Sequence, residues 1–254
     1  LKITVLGTGT SQGIPVIGCS CPVCSSSDPR DNRTRTSVLI ETQGTNIVID
    51  TGPDFRQQLL SNSISDVDAV LLTHEHRDHT AGLDDVRPIN FKYQRDMPVY
   101  ATAHVQKNIK EQYAYIFNGT SYPGLPKIKL CTIFKNQQFE VGALSVTPIE
   151  VWHHKLPVMG FRIGDFSYVT DAKTISNAEK EKIKGSKVLI LNALRKKDHL
   201  SHLTLEEAID LIDELKPEKT YLTHLSHQMG THEDVEKSLP THIRIAYDGQ
   251  VIEL

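Results

Sequence analysis

The chain has 254 residues, of which 39% are hydrophobic and 23% charged, with a formal net charge of −3, the make-up of an ordinary soluble globular protein. No stretch approaches the ~20 apolar residues of a membrane span, and no dense basic tract offers the many phosphate contacts that hold long nucleic acid. Neither a membrane nor an extended nucleic-acid surface is therefore expected among its partners, whereas one small phosphorylated substrate is compatible with the charge.

The opening LKITVLGTGT lacks the basic start and long apolar core of a secretory signal and reads as a buried strand entering a glycine turn. The expected location is the cytoplasm. Strand-length runs rich in β-branched residues lie at 3–7, 37–41, 46–50, 68–74, 97–101, 144–151, 160–164, 166–171, 187–193, 219–224 and 243–249. Helical patterns sit between some of them, at 54–62, at 102–117 with Thr102 as cap, and at 204–216. In the last, Thr204 and Glu207 form a capping box, Leu205, Ala208, Ile209 and Ile212 share one face, and Pro217 stops the helix. The segment 118–127 is turn-rich, carries a single charge, Lys127, and is expected as a loop over one edge. Hairpins come first, strands and helices then alternate, and the second half repeats the arrangement. That order predicts an α/β fold, with sheets packed face to face and helices outside, in one domain over 1–254.

Two short stretches carry chemistry. The first, GCSCPVC, places Cys19, Cys21 and Cys24 within six positions, with Cys131 as the remaining cysteine. Crowded thiols can be redox-active, disulfide-bonded or metal-binding; a redox pair needs only two of them, and cytoplasmic thiols stay reduced. Cys131 itself reads as a buried strand thiol.

The second stretch, THEHRDHTAG, follows a strand directly and presents His74, His76, Asp78 and His79 within six residues. In extended chain, positions i and i+2 point the same way, so His74 and His76 can close on one ion, and the turn that follows can aim Asp78 and His79 at a neighbouring position. Imidazole with carboxylate suits Zn²⁺, Mn²⁺ or Fe²⁺. Further candidates are His153 and His154 after one strand, Asp171 after another and His224 after a third. Taken singly, Asp171 is also compatible with a turn former and His224 with a satisfied surface histidine.

The H-x-H-x-D-H stretch resembles the signature of the metallo-β-lactamase-fold hydrolases, and the resemblance extends over nearly the whole chain. It implies an αββα four-layer sandwich. It also implies Asp50, in the strand-end turn of NIVIDTGPD, as a supporting residue behind the ligands. His153 would be the third histidine, with His154 in reserve, Asp171 a bridging carboxylate, and His224 the last ligand. One catalytic metal would be held by His74, His76, His153 and Asp171, and the other by Asp78, His79, Asp171 and His224. Such a pair, as Zn²⁺ or Mn²⁺, shares and activates one hydroxide, which serves attack on a phosphodiester or on an activated carbonyl. His199 and His202 precede the capped helix. They read either as loop histidines near a helix N-terminus or, following the resemblance, with His202 as a catalytic non-ligand that holds the phosphate or protonates the leaving oxygen. His104, His232 and His242 read as surface or capping residues.

Within that superfamily, the glycine-rich turn followed by C-x-C-x-x-C resembles the phosphodiesterases of bacterial phosphonate breakdown, which open a cyclic phosphate on a phosphorylated ribose. The resemblance implies a structural zinc held by Cys19, Cys21, Cys24 and His227, three residues past His224, a closed tetrahedral set with no open position. A tRNA-trimming ribonuclease shares the fold, but its extended basic arm is not evident here. A coenzyme-biosynthesis branch, a thioester hydrolase and a non-catalytic metal carrier are the other readings kept open, as is assembly into a homodimer.

Overall fold

In a computed structural model, residues 1–42, 44–119 and 122–254 are described. The first half contributes β1 (Lys2–Gly7), β2 (Ser37–Thr42), β3 (Thr45–Ile49), β4 (Ala69–Leu71), β5 (Met97–Ala101) and β6 (Ile128–Thr132). Its helices are α1 (Phe55–Ser61), α2 (Arg77–Thr80), α3 (Arg87–Tyr93), α4 (Ala103–Gln112) and α5 (Ala114–Phe117). The second half contributes β7 (Phe139–Val141), β8 (Leu144–His153), β9 (Leu156–Ile163), β10 (Phe166–Val169), β11 (Thr174–Ile175), β12 (Val188–Asn192), β13 (Lys219–Thr223), β14 (Ile243–Ile245) and β15 (Val251–Glu253). With these come α6 (Asn177–Ile183), α7 (Leu205–Leu215) and α8 (His232–Ser238).

The strands form two sheets of matching design. One runs β15-β1-β2-β3-β4-β5-β6 and the other β11-β8-β9-β10-β12-β13-β14, with β7 paired to β8. In each, the leading strands are antiparallel (β15, β1, β2, β3; β11, β8, β9, β10) and the rest parallel. Antiparallel neighbours need only tight turns, whereas parallel ones need crossovers, and those crossovers supply the helices.

Why the sheets stack follows from the period-two pattern. In β3, Ile47 and Ile49 face the other sheet while Val48 faces the helices; in β12, Val188 and Ile190 face inward while Leu189 and Leu191 face α7 and α8. Both faces of these strands are covered, so they read as unbroken apolar runs. Phe161, Phe166 and Tyr168 fill the layer between the sheets, Phe55, Val105 and Ile109 belong to one outer layer, and Ala208, Ile212 and Val235 to the other. The result is the helix–sheet–sheet–helix sandwich. The α7 capping box forms as expected, with Thr204 Oγ1 accepting from the Glu207 amide at 3.2 Å and the Glu207 carboxylate accepting from the Thr204 amide at 2.8 Å.

Several details depart from the sequence reading. The helix expected over 102–117 breaks at Tyr113, whose hydroxyl donates to the Thr80 carbonyl at 2.6 Å. Cys131 lies in a strand, but β6 is an edge strand and the thiol is half-buried. His232 is buried rather than on the surface, because its ring meets the buried Arg33 guanidinium at 3.3 Å and its amide donates to Asp31. Within the loop expected at 118–127, Thr120 and Ser121 lie outside the described residues. No helix among the described residues is long and apolar enough to cross a membrane.

Phe161 is fully buried between the sheets whereas Phe134 is 60% exposed. Phe161→Ala should cost about 3–5 kcal/mol in denaturant unfolding, and Phe134→Ala within about 0.5 kcal/mol of zero; equal costs would contradict this account of the core.

Candidate metal centre

The loops that follow β3, β4, β8, β10, β12 and β13 leave from strand C-terminal ends, and their pairing directions bring these ends to one edge of the sandwich. There the backbone turns sharply: Asp50, Asp171 and His224 all take left-handed conformations, with φ of 64°, 55° and 56°. Asp and His tolerate this region better than most side chains, and strained residues of this kind cluster at functional sites.

The turns converge their side chains. Asp171 Oδ1 lies 3.3 Å from both His79 Nε2 and His224 Nε2, while its Oδ2 lies 3.8 Å from His74 Nε2 and 3.2 Å from His202 Nε2. Asp78 Oδ2 is 3.4 Å from His79 Nε2 and 3.7 Å from His224 Nε2. The exposed His76 ring packs 4.6 Å from that of His74 and 5.3 Å from that of His153. His153 closes β8 and belongs to the cluster, whereas His154 sits in the exposed turn beyond it. His202, expected outside the ligand set, stands as near to Asp171 as His79 does.

A supporting layer fixes the rings. Asp50 Oδ2 accepts from His79 Nδ1 at 2.7 Å, Thr73 Oγ1 donates to Asp50 Oδ2 at 2.8 Å and lies 3.0 Å from His74 Nδ1, and the Ser201 carbonyl accepts from His153 Nδ1 at 2.9 Å. Each Nδ1 is thus occupied, and the Nε2 lone pair is left to point inward, as second-layer partners of metal-binding histidines do. The Nε2 atoms of His74, His79 and His224 are buried without a hydrogen-bond partner. Orphaned buried nitrogens are costly, and three directed at one carboxylate fit divalent cations.

Charge agrees with that fit. Burial, reinforced by the neighbouring His79, holds His74 well below the usual histidine range; burial likewise lowers His153 and brings His202 to about 4. Against their burial, Asp78 is held below the carboxylate range by His79 and His224, and Asp171 by His224 and His79. Ionised carboxylates and neutral imidazoles are the donor-competent forms. Burial opposes a charge on His79, yet Asp171, Asp50 and Asp78 raise it well above the usual range, so the field at this spot favours a cation. Of the expected ligands, His79 and His224 lie on the Oδ1 side of Asp171 and His74 on the Oδ2 side, which it shares with His202.

Cys19, Cys21 and Cys24 form a separate cluster with His227, their sulfurs 3.3, 3.4 and 3.5 Å from its Nδ1. A tetrahedral ion with the usual Zn–S and Zn–N lengths separates sulfur from nitrogen by about 3.5 Å, so the four atoms already outline a zinc-sized cavity. Amides also donate to the sulfurs, Val16 to Cys24 and Cys24 to Cys21, each at 3.4 Å. The Cys24 amide brings the Cys21 thiol down to about 6, whereas burial pushes Cys24 up to about 11. The cluster ties the N-terminal loop to the His224 loop, which β-bridge bonds reinforce: Leu225 donates to the Thr8 carbonyl and Thr10 to that of Leu225.

Reading from sequence missed Gly52. A Cβ there would collide with the Asp78 carbonyl, so only glycine lets the two ligand loops touch; the signal was the D-T-G turn itself.

Residues 45–225 match the model of the beta-lactamase superfamily domain. The chain belongs to that superfamily. A solved structure titled a new diphosphatase from the PhnP family aligns with a TM-score of 0.93 and 38% identity over 100% of this chain and 97% of that one. Zn²⁺-bound PqqB from Methylobacterium extorquens aligns at a TM-score of 0.83 and 19% identity over the full length of both, which speaks for the shared fold. A protein of Porphyromonas gingivalis named octanoyltransferase is 45% identical over 251 residues, 98% of this chain but 51% of its own length. This chain spans about half the length of the curated relatives it matches.

His227→Ala should lower bound zinc by one equivalent per chain and destabilise the fold; metal analysis showing unchanged zinc would remove His227 from that cluster. Gly52→Ala should displace the Asp78 loop and weaken metal retention in a chelator titration, while a metal-binding curve that matches the wild type would show that the loops need not touch.

Proposed function

We propose that the chain is a metal-dependent phosphodiesterase hydrolysing a small cyclic or diester phosphate, such as a cyclic phosphate on a phosphorylated ribose, of the kind met in phosphonate breakdown. The observation that carries the reading is the Asp171 carboxylate, which meets His79 and His224 on Oδ1 and His74 and His202 on Oδ2. The end-to-end likeness to a PhnP-family diphosphatase supports the substrate class. Two divalent ions, Zn²⁺ or Mn²⁺, held by His74, His76, His153 and Asp171 and by Asp78, His79, Asp171 and His224, would supply Lewis acidity and a water of lowered pKa. The Cys₃His cluster would hold a third, structural zinc.

The protein's own groups do the rest. Asp50 and Thr73 aim His79 and His74, and the Ser201 carbonyl aims His153. Ser201 Oγ, 3.2 Å from His202 Nδ1, can donate to that nitrogen and so keep the ring proton on Nε2, which faces Asp171. From there the neutral His202 ring can hold the phosphate through its Nε2 hydrogen. A second reading, hydrolysis of an acyl thioester, is favoured by the relative named octanoyltransferase, since the same geometry serves an activated carbonyl.

Metal-reconstituted protein should turn over bis-p-nitrophenyl phosphate and ribosyl cyclic phosphate in preference to octanoyl thioester or precursor tRNA. Turnover confined to the thioester would replace the phosphodiester reading with the acyl one. His202→Ala should keep its metals and lose roughly 10²–10⁴-fold in kcat; a variant that sheds metal would make His202 a ligand instead.

A further inference from the structure

We propose that Lys173 is a positioning residue for His202, the ammonium that sets the histidine loop at its working distance from Asp171. The proposal rests on the phosphodiesterase reading for its kinetic arm only. The segments 171–173 and 202–204 run side by side: His202 Nε2 meets Asp171 Oδ2 at 3.2 Å, and the Leu203 amide donates to the Ala172 carbonyl at 2.8 Å. One step further along, Lys173 Nζ donates to both Glu207 oxygens, at 2.8 and 3.0 Å, and Glu207 Oε2 in turn accepts from the Thr204 amide at 2.8 Å. Lys173 therefore reaches the backbone two residues past His202 through a single carboxylate, from a position two residues past Asp171.

Other bonds hold the loop too: the Leu194 amide donates to the Leu203 carbonyl at 2.9 Å and the His153 ring to the Ser201 carbonyl at 2.9 Å. A surface cavity of about 360 Å³, lined in part by Lys173, Leu203, Glu207 and Leu211, opens beside the ion pair. Asp198, at the loop's start, also meets Lys173 at 3.2 Å, but its side chain is 90% exposed, and ion pairs of that kind contribute little. Lys173 is only 19% exposed, and its own amide donates to the Trp152 carbonyl beside His153. The same residue thus links the His153 strand, the Asp171 turn and the His202 loop. Misplacing a catalytic group by about 1 Å can cost on the order of 10²-fold, so an ammonium that fixes this spacing bears on rate without touching substrate.

The test is a double-mutant cycle on metal-loaded protein with Lys173→Met, His202→Ala and both together, assayed with bis-p-nitrophenyl phosphate. Lys173→Met should lower kcat by about tenfold or more, with KM and metal content little changed, and Lys173→Arg should recover most of the loss. In the His202→Ala background, Lys173→Met should cost nothing further, because its effect passes through that ring. Additive losses, or loss of metal on Lys173→Met, would overturn the proposal. Should the wild type prove inactive on every ester in the panel, the functional reading fails, yet the clamp is still judged by nitrogen-15 resonances of the His202 ring. These should move in Lys173→Met and return in Lys173→Arg, and unchanged resonances would dismiss it.

Discussion

Burying an anion is expensive, and Asp171, at the edge of the sandwich, is only 2% exposed. Several kcal/mol of desolvation must be answered by neighbours. Here the answer is a ring of imidazoles on both of its oxygens. The outward nitrogens of His79, His74 and His202 are met by Asp50, Thr73 and Ser201, so those rings cannot turn away. The rest of the site follows from satisfying this one carboxylate: the tautomers of the rings, the ionisation of Asp78 and the field that favours cations.

The sheets explain how so many polar groups come to one place without weakening the core. Each half of the chain builds the same order of antiparallel then parallel strands, and in each the third strand of the meander ends in a left-handed aspartate, Asp50 in one and Asp171 in the other. Equivalent turns therefore supply different services, one carboxylate orienting His79 and the other meeting histidines on both of its oxygens. Core stability comes from the layers, and chemistry from loops that the layers hold rigid.

How much of this was legible in the sequence depended on distance along the chain. His74, His76, Asp78 and His79 announce themselves because they fall within six consecutive positions after an apolar strand. The Cys₃His cluster could be half read: its cysteines are adjacent, but His227 is 208 positions from Cys19, and only the family resemblance pointed to it. Gly52 showed only as part of the D-T-G turn and the Lys173–Glu207 pair gave no local signal, since their importance lies in what approaches them from 26 and 34 residues away. Misread residues have the same cause. His232 looked like a helix-start surface histidine because Arg33, its buried neighbour, is 199 positions away. Strands β7, β11 and β15 are two or three residues long, too short for a period to show. Long-range partners, not local propensity, decided each of these.

The pairing of β1 with β15 has a consequence for engineering. The Leu1 amino group donates to the Leu254 carbonyl at 2.9 Å, and the Leu254 amide donates back to that of Leu1 at the same distance. Because β1 runs parallel to β3 and antiparallel to β15, the start of β1 and the end of β15 lie at the rim opposite the candidate metal centre. A label attached to either strand end is therefore directed away from the histidine cluster, whose edge stays open to solvent.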